Sequence, residues 1–195
     1  MGWMDSWVAV QEADKDEVLK ALDLVETGED VLPGERNRGS PFSYMERDDG
    51  WIVVYGNGFE WADTDRVVSL SRLGLTLGCQ FEDKVEMASV VCAAKDGVVL
   101  WRVYHDARLK GDKLEVSGNP PEVYAEIRDQ MLREQAERTS NVDYIFEVPL
   151  ELAKAVCGYR TDEEPDPFHG LRPAENEQAS GRQRGRGFWG RLFGG

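Results

Sequence analysis

The strongest constraint in the sequence is a pair of apolar, β-rich runs on either side of the dipeptide Asp96-Gly97. An Asp-Gly pair in this setting predicts a two-residue hairpin turn of type I′, because both turn residues then need a positive φ. The register set by that turn gives four cross-strand pairs: Lys95 with Val98, Cys92 with Trp101, Val90 with Val103 and Ala88 with His105.

The two faces of this predicted hairpin differ in composition, since the side chains of a strand alternate between faces. The apolar face is the expected core face, and it carries Val90, Cys92, Val99, Trp101 and Val103. The opposite face is mixed, and it carries Met87, Ser89, Val91, Leu100, Arg102 and Tyr104. We therefore expect Trp101 to anchor the core.

The chain of 195 residues fits one domain with an appendage, and residues 1–160 are predicted to form a single acidic domain. A body of this size buries enough surface to fold without disulfides or metal ions. The three cysteines are widely spaced and form no CxxC pair, which predicts free thiols in a reducing compartment. Because the N-terminus resembles no signal peptide and no apolar run is long enough for a membrane span, we expect a cytoplasmic protein.

The formal net charge is −14, and most of the excess negative charge belongs to residues 1–160. This acidity argues against nucleic acid as a partner of the body, because phosphate contacts require the opposite sign. It favours solubility, and it would favour a basic partner.

The N-terminal half predicts alternating strands and short helices. A strand over residues 3–12 leads into a helix that begins after Asp14 and ends at Gly28, with one face formed by Val18, Leu19, Leu22 and Val25. The predicted segments that follow are a loop (27–41), a hairpin (42–47 and 51–56), a helix capped by Asp63 (64–73) and a strand (75–81).

The C-terminal half predicts a short strand over residues 113–116 and then a helix whose start is marked by Asn119-Pro120-Pro121-Glu122. Val123, Ile127 and Met131 line one side of this helix. A strand over residues 142–148 and a helix from Pro149 to Gly158 complete the body. The fold class predicted is therefore α+β, with an antiparallel or mixed sheet built from hairpins and with helices packed mainly on one face.

The composition changes after Arg160. Residues 161–187 contain almost no apolar side chains and are predicted to be a disordered tether, because burial cannot offset the entropy cost of ordering them. Residues 188–195 end the chain with an aromatic-basic motif, within RQRGRGFWGRLFGG. The predicted partner-binding residues of this region are Arg186, Phe188, Trp189, Arg191, Leu192 and Phe193.

Several roles are open for this C-terminal motif. Docking into the groove of a partner protein is the main expectation, and an anionic membrane surface or single-stranded nucleic acid bound through the Arg-Gly steps are alternatives. A tail that has no function or that packs on its own body would explain the same residues.

The patterns that carry catalytic or ligand chemistry elsewhere are weak here. Gly56-Asn57-Gly58 lacks the further glycine or the Gly-Lys-Ser/Thr of a phosphate loop, so a turn followed by an acid-capped helix is expected. His105 beside Asp106 resembles a general base with an orienting carboxylate, but adjacent strand residues face opposite sides and no nucleophile motif accompanies it. We expect His105 to be structural, and we assign no catalytic residue, no metal site and no cofactor.

Two strings resemble a group of small bacterial proteins for which no activity is established. They are DGVVLWRVYHDA, a strand ending in Trp-x-Val-x-His-Asp, and VDYIFEVPLELAKAVCGYRTDE, with its ELAK…GYR helix. The resemblance covers most of residues 1–164, implies a bacterial origin and supplies no site residues.

The function expected from the sequence is that of a non-enzymatic, soluble interaction protein with an acidic body and a flexible tail that ends in a docking motif. One alternative is an immunity-like or inhibitory protein that covers a basic partner. Another is a small-molecule-binding or hydrolytic domain that uses His105.

Overall fold

The computed structural model describes residues 4–31, 41–82, 87–108, 113–137, 142–161 and 168–174. The strands are β1 (Met4–Gln11), β2 (Leu24–Val31), β3 (Phe42–Glu46), β4 (Trp51–Asn57), β5 (Thr76–Glu82), β6 (Ala88–Lys95), β7 (Val98–Asp106), β8 (Leu114–Gly118) and β9 (Phe168–Pro173). The helices are α1 (Lys15–Ala21), α2 (Thr64–Leu70), α3 (Val123–Glu137) and α4 (Glu147–Cys157), with a 3-10 turn at Phe59–Ala62. Within the described residues, no helix is both long and apolar enough to cross a membrane.

All nine strands belong to one sheet with the order β2-β9-β3-β4-β1-β5-β6-β7-β8. Every neighbouring pair is antiparallel, which decides between the antiparallel and mixed sheets that the sequence left open. The central strand β1 pairs with β4 on one side and with β5 on the other. The α+β class is confirmed.

The sheet is covered on both faces, so the expectation that helices lie mainly on one face is not confirmed. Trp7 of β1 packs in a cluster with residues of α3 and α4, among them Met131 and Leu152. Its neighbour Val8 packs on the opposite face with residues of α1 and α2, such as Val18 and Val67. Burial on both faces explains why β1 and β6 are buried at consecutive positions rather than at alternate ones.

The central hairpin has the predicted turn but a different register. Asp96 and Gly97 have φ of 53° and 80°, and Lys95 pairs with Val98. A bulge then shifts the strands by one residue, so that Ala93 rather than Cys92 lies opposite Trp101. The other two predicted pairs are wrong by the same residue, since Val90 faces Tyr104 and Ala88 faces Asp106.

The shift also corrects the predicted faces of the hairpin. Trp101 is only 6% exposed and belongs to the core with Val103, as predicted. Val91, predicted on the opposite face, lies in the same cluster, whereas Val99, predicted on the core face, is 37% exposed. Cys92 lies on the opposite face, in the cluster that α1 and α2 cover. The assignment of Cys92 to the face of Trp101 was therefore wrong, because the prediction assumed an uninterrupted ladder.

The first helix begins where the sequence predicted, but it ends before the predicted stop at Gly28. The Asp14 carboxylate accepts the backbone N–H groups of Asp16 and Glu17. The helix stops at Ala21, and Asp23, with a φ of 53°, turns the chain into β2. Gly28 is consequently not a helix stop but lies inside β2, and residues 27–31 are strand rather than loop.

The segment predicted to be a disordered tether contributes strand β9, so that prediction is wrong for residues 168–173. β9 lies between β2 and β3, and its side chains Phe168 and Leu171 are fully buried. Few apolar residues suffice here because two neighbouring strands supply the backbone partners. The folded body thus continues past residue 160 to at least Ala174, and the rest of the predicted tether lies outside the described residues, apart from Thr161.

The strand predicted over residues 142–148 is absent from the described structure of that segment. Its residues form a turn in which Asp143 accepts the backbone N–H of Ile145, and α4 begins at Glu147. The predicted end of this helix is confirmed, since Gly158 has a φ of 70° and its N–H donates to Lys154 O. The second hairpin, the Asp63 cap of α2 and the apolar side of α3 also follow the prediction.

Candidate functional site

The six side chains predicted to bind a partner lie outside the described residues: Arg186, Phe188, Trp189, Arg191, Leu192 and Phe193. The structure therefore leaves that prediction untested. The described surface and interior supply other candidate groups.

His105 lies in the interior and has both ring nitrogens engaged. Its Nδ1 lies 3.0 Å from the carbonyl oxygen of Lys113, and its Nε2 lies 2.9 Å from Oδ2 of Asp143. The ring is 2% exposed. These contacts tie β7 to the start of β8 and to the turn before α4, and they leave neither nitrogen facing solvent as a base would require.

The carboxylate that orients His105 is that of Asp143, and not that of the adjacent Asp106, which the sequence pattern had suggested. Asp106 points to the other face, where it accepts the Tyr104 hydroxyl at 3.0 Å and a forked contact from Arg108. Hydrogen bonds from the Arg108 side chain hold the pKa of Asp106 well below its usual range. Asp143 lies in a turn distant in sequence, so no local pattern indicated it.

The three cysteines are all buried as free thiols. Burial raises the pKa of the Cys157 thiol to about 12 and raises the pKa of the Cys79 and Cys92 thiols as well. A thiol is nucleophilic as the thiolate, which these environments disfavour at neutral pH. Cys92 packs as a small apolar side chain in the cluster that α1 and α2 cover.

Gly56, near the end of β4, has a packing role. A Cβ at Gly56 would lie 2.2 Å from the ring of Trp61, so only glycine lets the indole lie against this strand. Asp63 then caps α2 by accepting the N–H of Arg66 at 2.8 Å. The predicted turn with an acid-capped helix is confirmed. Among the described residues, no group of three or more His, Cys, Asp or Glu side chains is placed to hold a metal ion.

A polar network links α1, β2 and β3 at one end of the sheet. Lys15 donates to Oε1 of Glu26 at 2.6 Å, and the Tyr44 hydroxyl donates to the same oxygen at 2.8 Å. These two donors lower the pKa of Glu26, and the hydrogen bond to Glu26 raises the pKa of Lys15. Burial and the neighbouring carboxylate raise the pKa of Tyr44 to about 12. Glu26 is therefore an ionised carboxylate that already has its partners.

A cleft of about 380 Å³ lies beside this network, between α1 and β2. Leu19 and Leu24 form its apolar floor, since both side chains line it and are almost fully buried. Its rim carries Asp16, Lys20, Asp23 and Glu26, and Ala174 at the end of β9 closes one side.

Two of these rim carboxylates are open to a ligand. Asp16 is 86% exposed and lies 3.7 Å from Lys15, while Asp23 is exposed on the turn into β2. Sequence reasoning missed this cleft because it continued α1 through Val25, which removed the turn at Asp23. The alternation of Leu22, Asp23 and Leu24 was the local signal for a break.

Comparison of the chain with protein-family models, with curated proteins and with solved structures finds no match.

Proposed function

We propose that the protein is a non-enzymatic binding protein that holds a basic segment of another protein in the cleft between α1 and β2. The observation that carries this proposal is the combination of an apolar floor with a carboxylate rim. It corresponds to the expectation of an acidic body that covers a basic partner, as in an immunity-like or inhibitory protein.

The chemistry of the cleft matches an arginine or lysine side chain. The aliphatic stem of such a residue fits over Leu19 and Leu24, and its cationic end reaches the carboxylates of Asp16 and Asp23. The Glu26 carboxylate is already paired with Lys15, so it attracts a cationic ligand only through its electrostatic field. The one positive side chain on the rim, Lys20, is outnumbered by these three carboxylates.

The surroundings of the cleft strengthen the attraction for a cation. Residues 12–31 contain eight acidic and two basic side chains. A surface of one sign raises the association rate of an oppositely charged partner, and the effect decreases as salt increases. A reducing compartment, such as the cytoplasm, suits the three buried thiols.

The C-terminal motif is a second part of the proposal. Arg186, Phe188, Trp189, Arg191, Leu192 and Phe193 would anchor a protein partner, with an anionic membrane surface as the alternative. The chain leaves β9 at Ala174, on the edge of the cleft, so the arginines of the same chain are a natural competitor for Asp16 and Asp23.

The binding proposal is tested by titrating the full chain with a short peptide of alternating arginine and glycine, using calorimetry. Replacing Asp16 and Asp23 by asparagine should weaken binding at least tenfold, which is about 1.4 kcal/mol. The matched control replaces Glu122 and Glu126, exposed at and near the start of α3, by glutamine and should change the affinity less than twofold.

Three results would contradict the proposal. An equal loss in both double variants would mean that the peptide responds only to the overall charge. Unchanged binding in the cleft variant would place the peptide elsewhere. If the peptide does not bind the parent protein at a concentration of about 0.1 mM, its affinity is weaker than micromolar and the cleft is ruled out as its site.

A further inference from the structure

The backbone geometry of the edge strand β8 fixes which of its groups point away from the sheet. The N–H of Asn119 donates to the carbonyl of Leu100 at 3.3 Å, and Trp101 lies opposite Gly118. In an antiparallel ladder, the two residues of a non-hydrogen-bonded pair do not bond to each other, and the hydrogen bonds join the residues on either side of them. Leu100 and Asn119 flank Trp101 and Gly118 in this way. Trp101 and Gly118 are therefore a non-hydrogen-bonded pair.

The alternation then assigns the remaining residues of β8. Glu115 and Ser117 exchange hydrogen bonds with β7, because hydrogen-bonded and non-hydrogen-bonded pairs alternate along the ladder. Leu114, Val116 and Gly118 direct their N–H and C=O groups outward. β7 is the strand that pairs with β8 in the described part of the sheet, so this outer row is open.

The side chains along this edge are apolar and exposed. Val116 is 44% exposed, and the neighbouring end of β7 adds Val98, Val99 and Leu100, which are 62%, 37% and 43% exposed. An edge strand with open backbone groups and little charge is a template for pairing with another strand. Glu115 is the one charged side chain of β8.

We propose that β8 pairs antiparallel with β8 of a second copy of this chain, about a twofold axis at Val116. This register sets the two Val116 residues opposite each other as a hydrogen-bonded pair, and it sets Leu114 opposite Gly118 of the second copy. The outward N–H and C=O groups of the two Val116 residues then pair with each other, and Gly118, with a φ of 70°, ends the extended stretch on either side. Glu115 lies opposite Ser117 of the second copy, so no like charges face each other despite the acidity of the chain.

A second copy fits this edge better than the C-terminal segment of the same chain. In the sheet order, β8 is seven positions from β9, a distance of about 34 Å at about 4.8 Å per strand. The 13 residues between Ala174 and Phe188 reach at most about 45 Å when fully extended, so the C-terminal motif would need a largely extended connection to lie on β8. A twofold pairing is also closed, so it ends at a dimer instead of growing into a fibre.

The first test measures the mass of the full chain by sedimentation equilibrium at about 0.1 mM, where a dimer of micromolar Kd is formed. The expected mass is twice the 22.0 kDa of one chain. Val116→Lys places two ammonium groups opposite each other on the axis and should return the mass to that of one chain. The matched variant Ser117→Lys places each ammonium opposite Glu115 of the second copy and should leave the dimer intact.

The second test uses covalent capture and remains informative if a lysine variant folds poorly. In the proposed register the Cα atoms of the two Val116 residues are about 5.5 Å apart, within the range of a disulfide. Val116→Cys should therefore give a disulfide-linked dimer on mild oxidation. Ser117→Cys should not, because its Cα lies more than about 7 Å from its symmetry mate. The native cysteines are buried and do not compete.

Each opposing outcome overturns the proposal. A parent chain that sediments as a monomer excludes the dimer, and a dimer that survives Val116→Lys places the interface elsewhere. Equal cross-linking of the two cysteine variants would mean random collision in place of a fixed register. A dimer that is lost when the four C-terminal arginines are replaced by alanine would assign the contact to the tail.

Discussion

The two edge strands of the sheet, β2 and β8, differ in how strongly they resist the addition of another strand. β2 is interrupted between Glu26 and Asp30 by a bulge that contains Gly28, with a φ of 79°, and its three charged side chains are all acidic. β8 continues without interruption along β7 and carries one carboxylate, Glu115. Charge and a bulge prevent strand addition, so the β2 end is suited to contacts through side chains and the β8 end to contacts through backbone.

The ends also differ in how they are fastened to the core. The β8 end is fixed by the buried side chains of Trp101 and His105 from β7. The β2 end is fixed by Phe168 and Leu171 of β9, a strand from a segment of low apolar content.

The largest expected effect is at Trp101, which is 6% exposed between β6 and β8. Trp101→Ala should lower the free energy of unfolding by about 3–5 kcal/mol, because it removes a large buried ring and leaves a cavity. Urea unfolding followed by circular dichroism measures this. A variant that melts within a degree or two of the parent would show that the indole is not in the core.

The corresponding change at the other end is Leu171→Ala. Leu171 is fully buried in the cluster that α1 and α2 cover, so its truncation should cost about 2–5 kcal/mol. The same urea experiment measures it. No loss of stability would mean that the body folds without β9, and the boundary predicted at residue 160 would then stand.

These two residues also show what the sequence allowed and what it did not. The hairpin turn at Asp96-Gly97 was predictable because two positive φ values are a local requirement. The bulge that follows, which shifts the pairing of β6 and β7 between Ala93 and Ala94, has no comparable signal in the local sequence. The predicted burial of Trp101 is correct despite this shift, whereas the predicted pairing of Cys92 with Trp101 is wrong.

The sequence did not predict the candidate cleft, for a related reason. Helical periodicity from Val18 to Val25 continued through a reversal at Asp23 that the backbone makes with a positive φ. β9 was hidden because Phe168 and Leu171 are isolated apolar residues in a polar segment, and their burial depends on β2 and β3. The caps at Asp14 and Asp63 and the turn at Asp96-Gly97 were predictable from local sequence. The turn at Asp23 and the contacts between distant segments were missed.

The next smaller effect compares the two histidines, one at each end. His105→Gln should lower the free energy of unfolding by about 1–3 kcal/mol, because Asp143 and the Lys113 carbonyl lose their partner in the interior. His169→Gln is the matched control. That ring is 53% exposed beside Asp30, so its replacement should change stability by less than about 0.5 kcal/mol.

Chemical denaturation of both variants measures the difference. Equal effects would mean that the buried contacts of His105 add nothing beyond an exposed ion pair. The same variants test the hydrolytic alternative, since a turnover that His105→Gln abolishes in a folded protein would contradict the non-enzymatic proposal.

The smallest expected effect concerns one carboxylate at each end whose pKa is lowered. Hydrogen bonds from Arg108 lower the pKa of Asp106, and hydrogen bonds from Lys15 and Tyr44 lower the pKa of Glu26. Asp106 is 6% exposed, whereas the side chain of Glu26 is 43% exposed in the ion pair with Lys15. Solvent therefore screens the β2 end more strongly than the β8 end.

A lowered pKa means that the unfolded chain binds the proton more readily, so the stabilisation from Asp106 is present above about pH 4, the ordinary Asp value. It is lost as the pH decreases through the lower pKa of the folded state. The gap in unfolding free energy between the parent and Asp106→Asn should be on the order of 1 kcal/mol at pH 6 and should narrow below pH 4. Glu26→Gln should show a smaller gap over the same range. Urea titrations at successive pH values measure both gaps, and a gap for Asp106→Asn that does not change with pH would show that the ionisation of this carboxylate does not stabilise the β8 end.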